Sequence, residues 1–93
     1  MTTGAGNLST YKQIAASANC KADQGALRGI FVSAASATPT ITVYDSATTT
    51  TTVPIVTVFT PAAATFYSMG DLAFSNGCYV VISGTVSCTV LVG

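Results

Sequence analysis

The chain contains no histidine, no glutamate and no tryptophan, and charged side chains make up 6% of its 93 residues. Ordinary soluble domains carry about 25% charge. Without histidine, the usual general base near neutral pH is missing, and so is the commonest nitrogen ligand for metals. Lys12, Lys21 and Arg28 stand against Asp23, Asp45 and Asp71, for a formal net charge of zero. Three scattered cations cannot build the basic stripe that nucleic acid requires, and they offer an anionic membrane little to hold. Long apolar runs are absent too. The longest, such as Ile55–Phe59 and Cys78–Ile82, fall far short of the roughly 20 residues of a membrane-crossing helix. The opening Met1-Thr2-Thr3-Gly4-Ala5-Gly6 lacks the basic start and apolar stretch of a secretory leader, so synthesis in a cytoplasm is expected.

What fills the chain instead is β-branched and small. Threonine and serine occupy 25 positions, the hydrophobic fraction is 49%, and the mean hydropathy is +0.60. A chain this short builds one core and has a modest stability margin. With so little charge, its surface consists of hydroxyls, alanines and backbone, a surface suited to being covered by another protein.

The few reactive groups do not assemble into a reaction. Asp45 ends a strand-like run and Asp71 follows Gly70, positions where a carboxylate caps a turn by accepting backbone amides. A Ser-His pair is impossible and no Gly-x-Ser-x-Gly occurs. The aspartates are too dispersed in sequence for a calcium loop. The contiguous run Thr48–Thr52 alternates its side chains between faces in any extended stretch, which spoils a flat threonine array and suits a loop. Cys20, Cys78 and Cys88 match no zinc spacing. A hairpin turning at Gly84 would not set Cys78 and Cys88 directly opposite each other in either register, so free thiols are expected. No catalytic residue, cofactor or metal site is expected.

Period-two alternation and turn signals divide the chain into short strands. Ser9–Ala18 reads as strand and Asn19–Gly25 as a polar turn. Gly25–Ser33 reads as a strand with Leu27, Gly29 and Phe31 on one face and Arg28, Ile30 and Val32 on the other. Ala34–Pro39 is a small-residue turn, Thr40–Asp45 a strand with Ile41 and Val43 inward, and Pro54–Thr60 another. Ala64–Met69 and Asp71–Phe74 flank Gly70 as two short strands or one bent one. Ser75-Asn76-Gly77 signals a type I′ hairpin. Cys78–Ser83 and Val86–Val92 form a second hairpin across Gly84. The expected fold is all-β: a small antiparallel β-sandwich or jelly-roll-like barrel of seven to eight strands. Residues 1–24 form an N-terminal arm and first strand, and 25–93 the β-sandwich domain.

Aromatic residues at strand spacing are core or cross-strand partners more often than ligand platforms. Phe66 and Tyr67 are adjacent, so one of them points away from the core and is a candidate interface anchor. In the arm, Leu8, Tyr11 and Ile14 are candidate anchors, with Lys12 and Lys21 as partners for an acidic surface.

The succession Gly25-x-Leu27-Arg28-Gly29-Ile30-Phe31-Val32, Ile41-Thr42-Val43-Tyr44-Asp45, Thr65-Phe66-Tyr67, Phe74-Ser75-Asn76-Gly77-Cys78-Tyr79-Val80 and Gly84-Thr85-Val86-Ser87-Cys88-Thr89-Val90 resembles small β structural proteins of tailed-bacteriophage virions. That group includes capsid cement, or decoration, proteins. The resemblance runs from Gly25 to the last residue and is carried by turns and apolar strand positions. It implies a protein of the capsid surface, made in the host cytoplasm, that binds and stiffens the lattice of the major capsid protein as a homo-oligomer, dimer or trimer. The other expectation of the same kind is a tail- or fibre-associated module that contacts a host receptor or glycan.

Overall fold

Valine, isoleucine, threonine and the aromatics pack well on a pleated surface, and nearly every run of them forms a strand. The computed structural model describes residues 10–93. They build six strands: β1 (Thr10–Ile14), β2 (Ala18–Lys21), β3 (Gly25–Tyr44), β4 (Pro54–Phe59), β5 (Thr65–Phe74) and β6 (Cys78–Val92). All pairings are antiparallel, and together they make one curled sheet, a half-barrel. No helix occurs among the described residues. The expected all-β antiparallel class is what the chain adopts.

The axis of the sheet is a long ribbon of β3 against β6, from Leu27 opposite Val92 to Tyr44 opposite Tyr79. Each free edge of that ribbon carries two strands, one after the other. On the β6 side, β1 covers Cys88–Val92 and β2 covers Cys78–Val80. On the β3 side, β5 covers Gly25–Val32 and β4 covers Ile41–Tyr44. The concave face closes over Leu27, Ile30, Val32, Ile41, Val43, Val80, Val86 and Val90, all 1% exposed or less. Burying each such side chain contributes about 1.5–3 kcal/mol.

Several local expectations change. Ala34–Pro39 does not end a strand: β3 continues through it by register shifts at Val32/Ala34 and Ser36/Thr40. Likewise, β6 runs through Gly84 without reversing. Gly84 has a φ of 87°, and a Cβ there would lie 2.8 Å from the Cα of Pro39. The ribbon bends where Pro39 is seated on Gly84, a contact that a glycine alone allows. The expected hairpin at Asn76-Gly77 is absent as well. β5 and β6 lie on opposite edges of β3, and neither Asn76 nor Gly77 has positive φ. The glycine at 77 answers a different need: a Cβ there would collide with the Ser46 and Lys21 carbonyls.

The face assignment of β3 is also corrected. A register shift between Leu27 and Gly29 places Leu27 on the same buried face as Ile30 and Val32, whereas Phe31 lies on the opposite, outward face. A bulge inserts one residue and so inverts the alternation that follows it. Asn19–Lys21, expected as turn, belongs to β2. Residues 10–21 supply two edge strands, β1 and β2, to the same sheet as β3–β6.

Candidate functional site

The convex face of the half formed by β1, β6, β3 and β5 carries an aromatic strip. Cross-strand register places it: Tyr11 is opposite Leu91, Leu91 opposite Gly29, and Phe31 opposite Thr89 and Phe66. Tyr11 is 69% exposed, Phe66 52% and Phe31 40%. The Phe66 ring lies over Gly29, where any side chain would collide with it. Gly29 is buried beneath that ring. Three aromatic side chains therefore stand in water on a patch whose other members are Leu91, Ser68, Thr89 and Gln13.

Beside the strip, a groove of about 560 Å³ lies between β4 and β5, lined by Val56, Val58, Phe59, Phe66, Tyr67 and Met69. Tyr67 holds its inner wall. Its ring packs on Phe59 at a centroid distance of 5.1 Å, and its hydroxyl accepts the Ala62 amide at 2.8 Å. Val58 stands 62% exposed on the other wall.

The candidate anchors separate accordingly. Phe66 is the outward member of the Phe66–Tyr67 pair, and Tyr67 is half-buried with its hydroxyl engaged. Tyr11 joins Phe66 on the strip. Ile14 is not a surface anchor: opposite Cys88 on the concave side, it is 7% exposed and part of the core. Lys12 faces away from the strip, opposite Val90, and its ammonium donates to the Asn19 carbonyl at 3.2 Å. Leu8 lies outside the described residues. Phe31 was not foreseen as an anchor, because the alternation groups it with Leu27, and the bulge that separates the two leaves no mark in the sequence.

At the other end of the molecule, hydroxyls and a carboxylate organise the loop after β3. Asp45 accepts the amides of Ser75 (3.0 Å), Asn76 (2.8 Å) and Gly77 (3.2 Å). Bonds from the Ser75 and Asn76 amides hold its carboxyl below the usual aspartate range. Ser46 Oγ accepts the amides of Thr48 and Thr50, both at 3.1 Å. Asn19 Nδ2 donates to the carbonyls of Ser46 (2.9 Å) and Thr48 (3.0 Å). Asp71 faces Arg28 at 3.4 Å. Asp45 accepts backbone amides as expected, but from residues 75–77, distant in sequence, and Asp71 pairs with the Arg28 guanidinium where an amide-capping role was expected. Among the described residues, no group of three or more cysteines and acidic side chains is placed to hold a metal. No helix there is long and apolar enough to cross a membrane.

What the strip can do is lose water. Three partly exposed rings offer roughly 300 Å² of apolar surface, given about 200 Å² per aromatic side chain. That is the size of a hot-spot cluster at the centre of an interface, with the surrounding serines and threonines as a polar rim. Searches of protein-family models, of characterised proteins and of solved structures find nothing that matches this chain.

Proposed function

We propose that this chain is a structural interaction protein that binds other protein subunits through the convex strip of Tyr11, Phe31 and Phe66. The observation that carries this reading is the exposure of these rings on a face where their cross-strand neighbours are uncharged and the adjoining charges, Arg28 and Asp71, are paired with each other. A neutral, hydroxyl-rimmed aromatic patch suits a protein surface. The cation beside it, Arg28, is paired with Asp71, which leaves little to hold phosphate backbones or anionic lipids.

The setting we propose is a bacteriophage head, with the major capsid protein lattice as the partner. The resemblance from Gly25 onward supports it, and so does the physical economy of such a role. An ordinary interface covers about 800 Å² per partner, and the surface of the described residues totals 4882 Å². Many weak contacts on a repeating shell add through multivalency, so a modest patch suffices. Self-association belongs to the same proposal, because β5 presents an outer edge of ten residues with one charge, Asp71. Sheet edges protected so lightly pair readily with other chains.

Co-sedimentation with shells of the major capsid protein from the same genome tests the proposal. The wild-type protein is expected to pellet with shells, and the Tyr11→Ser/Phe66→Ser double variant to lose at least tenfold in affinity while keeping its β spectrum. Undiminished binding by the folded double variant overturns the assignment of the strip. A wild-type protein that binds no shells overturns the capsid setting.

A further inference from the structure

Two of the three thiols meet across the sheet. Asn19 is opposite Tyr79 and Lys21 opposite Cys78, which makes Cys20 the inserted residue of a β-bulge. A bulge of this kind sets two successive residues against one partner, here Cys20 and Lys21 against Cys78. Cys20 packs against the buried core cluster to which Cys78 belongs, and its thiol lies 4.0 Å from the Ala18 carbonyl. Cys78 is fully buried in the core, whereas Cys20 is half-buried in β2, which pairs with the sheet through β6. Cys88 lies on the far half of β6, opposite Ile14 and Val32.

We propose that Cys20 and Cys78 form a dithiol site that low-molecular-weight disulfides of the glutathione type oxidise to an internal disulfide, fastening β2 to β6. The two positions have the unlike characters such an exchange needs. Cys20 is the accessible nucleophile: the Cys78 thiol donating to it, with the Lys12 ammonium nearby, lowers its pKa against the opposing effect of burial. Cys78 is kept protonated, first as the donor to Cys20 and then by burial. Cys20 is the residue inserted beside the Lys21–Cys78 pair, so closing a disulfide, whose Cβ atoms lie about 3.5–4.5 Å apart, draws β2 toward β6 at the bulge. The closure falls on a strand of four residues.

The exchange runs in two displacements. Cys20, having released its proton to solvent, attacks one sulfur of the external disulfide; a Cys20–sulfur bond forms and one small thiolate departs. That step removes the negative charge that held the Cys78 proton in place. The Cys78 proton then passes to the departed thiolate, and the Cys78 sulfur attacks Cys20. The internal disulfide forms, and the second small thiolate leaves and is protonated from solvent. The two cysteines are oxidised by two electrons, and the external disulfide is reduced to two thiols. The site thus responds to transfer from a reducing to an oxidising medium, and it does not depend on the binding role proposed above.

The test is equilibration of the folded protein with oxidised and reduced glutathione, followed by alkylation and peptide mapping. In the wild-type protein, two of the three thiols are expected to become protected, with a peptide containing Cys20 linked to one containing Cys78. Cys88→Ala should behave the same, and Cys20→Ser should form no internal bond. Oxidation should raise the thermal midpoint of the wild-type protein by about 10 °C or more, from the loop it closes. A linkage through Cys88, a stable glutathione adduct at Cys20 without ring closure, or three unreacted thiols would each overturn the proposal. The mapping on wild-type protein decides the matter even if a variant fails to fold.

Discussion

The two halves of the β3–β6 ribbon share strands and a core but expose different groups: three aromatic rings on one, and Val53 and Val58 beside an internally bonded polar loop on the other. Beyond the Pro39–Gly84 bend, around β2, β4 and the threonine loop, the polar groups are bonded to their own backbone. Asp45 holds three amides, Ser46 holds two, and Asn19 reaches two carbonyls. On the near side, around β1 and β5, Tyr11, Phe31 and Phe66 stand exposed. A hydroxyl already bonded within the chain gains little from a partner, because binding exchanges one hydrogen bond for another. An exposed ring gains whenever water leaves it. Composition alone, rich in threonine and serine, would draw attention to the far half. Satisfaction of polar groups, and not their number, directs it to the near one.

The largest expected effect comes from severing the two halves at the bend. Gly84→Val places a β-branched side chain at a φ of 87° and drives it into Pro39, whose Cα lies 2.8 Å from the new Cβ position. Strain and overpacking together should destabilise by about 3 kcal/mol or more, read as a lower urea midpoint. If stability were unchanged, the bend would not be a required feature, and the contrast between the halves would lose its structural origin.

The next effect addresses the self-satisfied half alone. Asp45→Ala leaves three amides without their acceptor and should destabilise by about 2 kcal/mol. The pH dependence follows from the direction of the Asp45 shift. The folded carboxyl is more acidic than its ordinary value of 3.8, through bonds from the Ser75, Asn76 and Gly77 amides. The unfolded chain therefore takes up the proton first as pH falls. This stabilisation is complete above the ordinary value and is lost on acidification through the folded one. Denaturant titrations at pH 7 and at successively lower pH should show the wild-type and Asp45→Ala curves converging in acid. Binding through the near half should survive the substitution at neutral pH. A loss of partner affinity equal to that of the strip variant would erase the distinction between the two surfaces.

The sequence made the near half's strands legible but concealed its outward face. Alternation located the apolar strand positions, and Ile41 and Val43 are inward as it indicates. It failed at Leu27, which one inserted residue near Arg28 places on the face of Ile30 and Val32, whereas Phe31 lies opposite those two as the alternation has it; no local residue type announces the insertion. The Asn76-Gly77 hairpin failed for a different reason. The carboxylate that organises residues 75–77 comes from Asp45, distant in sequence, and the glycine serves close packing against Ser46 and Lys21. Cys20 and Cys78 were hidden similarly, since Asn19–Lys21 reads as turn until its pairing with β6 is known. Tyr11 and Phe66 could be proposed as anchors from sequence; strand alternation sets Ile14 on the face opposite Tyr11, but it does not say which of the two faces is buried.

The smallest effect concerns the second crossing between the halves, the connection from β4 to β5. Ala64 sits there, exposed, with a φ of 57°. A left-handed backbone costs an L-residue about 1–2 kcal/mol, and glycine avoids that at the expense of about 0.5–1 kcal/mol in the greater freedom of the unfolded chain. Ala64→Gly should thus stabilise by about 0.5 kcal/mol, raising the thermal midpoint by roughly 2–4 °C. The two crossings then respond with opposite sign: adding a side chain at Gly84 destabilises, and removing one at Ala64 stabilises. Because Ala64 carries no packed side chain, the substitution should leave affinity through the strip unchanged. A change in that affinity would mean that the connection sets the position of β5, and that the exposure of Phe66 depends on the crossing as well as on Gly29 beneath it.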